Sequence, residues 1–180
     1  MHTYEVRPRK DHPRVDLISD KAAPMTTIVF WLILISVVLH GIIAGLSFDK
    51  VLVNLPTRKR IGSVAYATFA RGNDLGNGKV VYPFMGILAL ITVFGTTITA
   101  FVENTTQAVM LPLYTAVITT IAHSLCTAKA APIMLSLKDT PDEEQVLTKK
   151  LDAFAFWSAW RAVLQISTFI ILVWALVKVV

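Results

Sequence analysis

Charge is what this chain of 180 residues has least of. Asp, Glu, Lys and Arg together make up 16% of it, against about 25% in an average soluble domain. The deficit is concentrated in long apolar runs that contain no carboxylate at all, which excludes an ordinary water-soluble domain and a paired-carboxylate active site inside any run. There is one cysteine, Cys126, so neither an intramolecular disulfide nor a thiolate metal cluster can form. The glycine-rich stretch Gly72 to Lys79 fails as a phosphate loop. Five residues separate Gly72 from Gly78, and no Ser or Thr follows Lys79. The net charge of +5 is spread over the tail and the polar connectors. No basic patch interleaves with aromatics, so no nucleic-acid partner is expected.

What is present is hydrophobic: 54% of the residues. From Phe154 to Val177 the only charge is Arg161, and 24 helical residues would reach roughly 36 Å, enough to cross a bilayer. Trp157, Arg161, Gln165 and Thr168 recur at spacings of four, four and three, which is one face of a helix. A guanidinium on such a helix is costly unless it finds a partner or snorkels, so the remaining helices are expected to supply a polar interior. Three more spans are expected, at about 26–48, 80–102 and 108–137, and the last at 154–178. The fold class is all-α, an integral membrane four-helix bundle with amphipathic connector helices. The lipid bilayer is its first partner.

Each span carries one polar stripe: Ser36, His40, Ala44 and Ser47; Thr92, Thr96 and Thr99; Ala116, Thr120, His123 and Thr127; and the stripe already named. Lipid cannot solvate such groups, so the stripes should turn toward one another. At about 1.5 Å per residue, His40 lies roughly 12 Å below Phe48 and Gln165 roughly 12 Å below Trp157. Thr92 lies roughly 18 Å below Val80 and His123 roughly 20 Å below Ser136. The polar groups therefore converge in the half of the bilayer nearer the two large connectors, where a pocket is expected.

The connectors read as follows. Thr57 to Arg71 is expected as one amphipathic interfacial helix, with Ile61, Val64, Ala65 and Phe69 apolar and Arg58, Lys59 and Arg60 basic. Pro83 falls near the first turn of span two, where it is tolerated, and Pro132 should kink or end span three. Thr140-Pro141-Asp142-Glu143 reads as a capped helix start leading to the last span. Gly41 and Gly45 form a GxxxG that could seat a second copy or a membrane partner subunit. Nine cations on the connectors against six at the chain ends place the connectors on the cytosolic side. Residues 1–24 are a polar arm whose YEVRPRKDHPRVDLISD resembles the opening of certain small uncharacterised bacterial proteins, where it forms two short strands about a turn.

Candidate chemistry follows from residue type. His40 and His123 can each move a proton or orient a substrate. Arg161 can hold an oxyanion, phenolate or carboxylate. Trp157, Gln165, Thr120 and Thr92 could contact the substrate. Each also has a plain structural role open to it: a hydrogen bond across the bundle, an interfacial anchor, or for Arg161 a pairing with Asp49 or Asp152. A metal is not expected, because the histidines stand on different helices and no carboxylate lies in a span.

Several segments together resemble a family of small four-helix membrane proteins that includes the anthrone oxygenases. The resembling residues are Gly41, Ala44, Gly45, Leu46 and Phe48, then Leu55-Pro56 before a basic helix, and Asn77 to Pro83. Phe154, Trp157 and Arg161 complete the set as FxxWxxxR. The likeness spans about residues 30–180, with Ala155 where members often carry a polar residue. It implies a membrane bundle and, for some members, oxidation of a polycyclic phenolic anthrone to a quinone. Dioxygen is the co-substrate, and no bound cofactor is implied. The expected function is thus an oxidoreductase acting on an apolar aromatic or quinone-like molecule in the bacterial inner membrane. The alternative is a non-catalytic lipophile binder or carrier, or a subunit of a larger membrane complex.

Overall fold

The computed structural model describes residues 27–179, so the polar arm and its expected strands lie outside the described residues. In hydrocarbon every backbone amide needs an internal partner, and long apolar segments meet that demand as helices. Four helices are long and apolar enough to cross a membrane: α1 (Thr27–Asp49), α4 (Gly78–Val102), α5 (Gln107–Leu135) and α6 (Glu144–Val177). A π-helical turn (Lys50–Asn54) continues α1 into α2 (Leu55–Ile61), and α3 (Ser63–Asn73) follows. Among the described residues all regular structure is helical.

The long helices close a ring in which α1 packs on α4 and α6, and α5 packs on α4 and α6. Their polar stripes turn inward. Ser36, His40, Ser47, Thr96, Thr120, His123, Gln165 and Thr168 are all buried, while Trp31, Ile35, Ile42, Ile91, Ile118, Leu125, Trp160 and Ile170 face outward. Hydroxyls tie the stripes together: Ser36 to Thr96 at 3.0 Å and Thr168 to Thr119 at 2.8 Å. Away from the connectors the ring is filled by Val29, Ile33, Val93, Ala100, Val109, Met110, Leu113, Ala116, Leu172 and Ala175. That cluster is the floor of the molecule.

The connector end is built differently from what periodicity suggests. The expected single helix Thr57 to Arg71 is broken at Gly62, whose φ of 83° and ψ of 160° only glycine adopts readily. The buried face of α3 is Ser63, Tyr66, Ala67 and Ala70, with Ile61 and Phe69 exposed. The expected apolar face is therefore rotated, because α3 docks on protein. It packs on Ala130, Met134, Leu137, Leu147, Leu151 and Phe154. Helix α6 begins ten residues before the expected span and rises about 15 Å above it to receive α3.

The expected capping box at Thr140 does not form. The first residue of α6 is Glu144, and the Thr140 hydroxyl donates to Ser136 O at 2.7 Å. Glu144 instead caps a different helix, accepting the Ser63 and Val64 amides of α3 at 2.8 and 3.2 Å. A carboxylate at a helix N-terminus also complements the helix dipole. Pro132 lies within α5, which ends three residues later at Leu135.

Candidate functional site

Pro83 sits a turn and a half inside α4 rather than in its first turn. Lacking an N–H, it cannot bond the carbonyl of Lys79, which weakens the helix there. Residues 79–84 are exposed on every face, with Phe84 at 64%, and beyond Gly78 the first buried residue of α4 is Ala89. The connector-side half of α4 thus stands clear of its neighbours. The space beside it is a cavity of about 600 Å³, reaching inward to α1, α5 and α6.

Most of the wall is apolar: Ile43, Leu46, Met85, Ile87, Leu90, Ala128, Ala131 and Phe154 among others. Polar groups enter at a few points. Ser47, His123, Arg161 and Gln165 come from the inward stripes, and Lys50, Asp74, Lys79 and Tyr82 border the connector end. The exposed positions Ile87, Ala128 and Leu135 lie on the rim, so the cavity opens between α4 and α5 toward lipid.

The sequence-predicted residues divide accordingly. His123, Arg161 and Gln165 line the cavity. His40 stands behind His123, their ring centroids 6.3 Å apart in an edge-to-face arrangement. Thr120 lies one turn further from the connectors, buried and without a hydroxyl partner. Thr92 donates to Ala89 O at 2.9 Å and is not part of the lining. Trp157 also lies outside the lining, packed against the cluster beneath α3 and edge-on to Phe156 at 5.3 Å. The FxxWxxxR positions thus split, with Phe154 and Arg161 on the cavity and Trp157 in the packing above it.

Hydrogen bonding fixes several protonation details. The Thr96 hydroxyl donates to Thr92 O at 2.6 Å, so Ser36 is the donor to Thr96. The Ser36 carbonyl can only accept, so His40 Nδ1 carries the proton at 2.9 Å. The Nε2 of a neutral His40 is then a bare acceptor, and it has no partner. Ser47 donates to Gln165 Oε1, orienting the amide.

Around this frame a set of buried polar atoms has no partner among the described residues: both nitrogens of His123, the Thr120 and Ser158 hydroxyls, and Nε of Arg161. Neither of the carboxylates foreseen for Arg161 reaches it. Asp152 pairs with Arg58 at 2.5 Å, and Asp49 accepts from Asn54. Buried groups of this kind are normally satisfied. Of these residues His123 and Arg161 line the cavity, whereas Thr120 and Ser158 lie outside its lining.

Asp74 is the residue sequence reading missed. It reaches the site from the turn before α4, where Gly76 allows the chain to double back: a Cβ there would meet Gly72 O at 2.2 Å. Asp74 pairs with Lys50 at 2.5 Å, with side chains 5% and 11% exposed. Lys50 opens the π-helical turn, a feature frequent at functional sites. Tyr66 roofs the pair, its ring centre 6.0 Å from Lys50 Nζ. Burial first, and then the Asp74 carboxylate, push its phenol up to about 12. Lys50 stands three residues after Ser47, so its place on the stripe was available to periodicity. Nothing local announces Asp74.

Among the described residues no three His, Cys, Asp or Glu side chains gather as a metal site would require. Gly41 abuts the Phe169 ring, where a Cβ would lie 3.1 Å from it, whereas Gly45 faces open space. Among the described residues the GxxxG is therefore not a paired contact. Compared with protein-family models, curated proteins and solved structures, the chain matches none.

Proposed function

We propose that this protein is a membrane-embedded oxidoreductase of the anthrone-oxygenase type, using dioxygen to oxidise an apolar aromatic or quinone-like substrate. The observation that supports it is the placement of two partnerless polar groups, Arg161 and His123, on an apolar cavity of about 600 Å³. Ligand pockets commonly have this size and this sparse polar lining. The substrate would come from the bilayer through the α4–α5 opening. Neutral His123 removes a proton from the activated ring carbon, and the electron pair moves onto the ring oxygen as a phenolate. Arg161 balances that charge in a site poor in competing water, where such stabilisation is most effective. Gln165, held by Ser47, orients the ring oxygen. The electron-rich phenolate then reacts with dioxygen through the same ring carbon, His123 returns its proton to the resulting peroxide, and loss of one water leaves the quinone. The resemblance and the charge asymmetry of the connectors add the bacterial inner membrane, with the opening nearer the cytosolic leaflet.

Oxygen uptake by the purified protein in lipid nanodiscs with an anthrone tests the reading. Arg161→Ala and His123→Ala should each lower uptake about a hundredfold or more. If both variants match the unaltered protein, the assignment is lost. Binding of the anthrone without any uptake leaves a lipophile binder as the function.

A further inference from the structure

The cavity wall is electrically lopsided. Lys50, Lys79 and Arg161 border it against a single carboxylate, Asp74. Lys50 and Asp74 neutralise each other at 2.5 Å. Neither Lys79 nor Arg161 makes a hydrogen bond or ion pair with any described residue. Arg161 is the more telling of the two. It stands inside the span, beside Ser158 with no hydroxyl partner and a turn above Gln165, where an unmatched cation is costly. The Asp74 carboxylate acts on it only at a distance, so a substrate neutral throughout binding would leave the guanidinium without a contacting counter-ion until the chemical step. Lys79, one residue into α4, borders the connector end of the same cavity on a flexible stem.

We infer that the ligand of this cavity carries a permanently ionised acid, a carboxylate on an aromatic body, which seats between Arg161 and Lys79. The apolar rings then lie along Ile43, Leu90 and Ala131 toward His123. The Lys50–Asp74 pair closes the connector end of the same compartment and keeps Lys50 from competing for the acid. This deepens the proposed function and rests on the same cavity, adding that recognition precedes chemistry through a fixed charge.

Binding of anthraquinone-2-carboxylate and of its methyl ester, measured with full-length protein in zwitterionic nanodiscs at neutral pH, tests it. The acid should bind at least tenfold more tightly than the ester. Lys79→Ala and Arg161→Gln should each weaken the acid about tenfold, and Lys79→Ala should leave the ester unchanged, so that ester binding to that variant doubles as the folding control. Equal affinity for acid and ester overturns the inference while leaving the proposed oxidation standing. Failure of both to bind overturns the two together. If discs containing phosphatidylglycerol displace the acid, the charge belongs to a lipid headgroup and the aromatic-acid assignment falls.

Discussion

Removing Lys50 is the sharpest test of how the connector roof is held. Its ammonium and the Asp74 carboxylate are both nearly inaccessible, 11% and 5% exposed, and lie 2.5 Å apart. Taking away one member of such a pair leaves the other as an uncompensated buried charge, which costs about 3–5 kcal/mol. An exposed pair would cost at most about 1 kcal/mol. Lys50→Ala and Asp74→Ala should therefore each lower stability by about 3 kcal/mol. The double variant should be no worse than the weaker single, because the stranded charge is gone. A shape-conserving apolar replacement, Lys50→Met with Asp74→Leu, should come close to the unaltered protein. Reversible unfolding in mixed detergent micelles at increasing SDS fraction, followed by tryptophan fluorescence, would measure all four. Single-variant losses below about 1 kcal/mol that simply add in the double would refute the buried-pair account.

Two further outcomes follow from the same roof. Tyr66 has its phenol pushed up to about 12 by burial first and the Asp74 carboxylate next. The folded state therefore holds that proton more tightly than the unfolded state. Its contribution is fully present below pH 10 and is lost as pH rises from about 10 to about 12. Unfolding measured across that window should show a slope that Tyr66→Phe lacks, and ultraviolet titration of Asp74→Asn should shift the phenol part-way back. At Gly62 an added Cβ meets nothing nearer than Glu144 at 3.8 Å, so Gly62→Ala carries only backbone strain, about 1–3 kcal/mol. Proteolysis of the α2–α3 joint should then quicken.

What sequence could show here depended on whether lipid or protein covered a residue. In the spans, the penalty for exposing a polar group to hydrocarbon is large and uniform. Ser36, His40, Thr120, His123, Gln165 and Thr168 accordingly took the inward positions that their spacing implied. In the connectors no such penalty acts, and periodicity pointed to Ile61 and Phe69 where tertiary docking buried Tyr66 and Ala67 instead. Glu144 serving a helix eighty residues away, and Asp74 folding back onto Lys50, are contacts of high sequence separation with no local signature. The cavity followed the same division. Its deep wall was legible as stripes, whereas its mouth depended on how α4 stands relative to α1 and α5.

The apolar floor formed by Val29, Ile33, Val93, Leu113 and Leu172 bears on bioenergetics. Among the described residues the cavity lining stops short of this packing, so under the proposed function a molecule admitted from one leaflet departs by the way it came. Under the proposed function, that packing separates the ring chemistry at His123 from the opposite face, so oxidation there would proceed without shunting protons or ions down the membrane gradient.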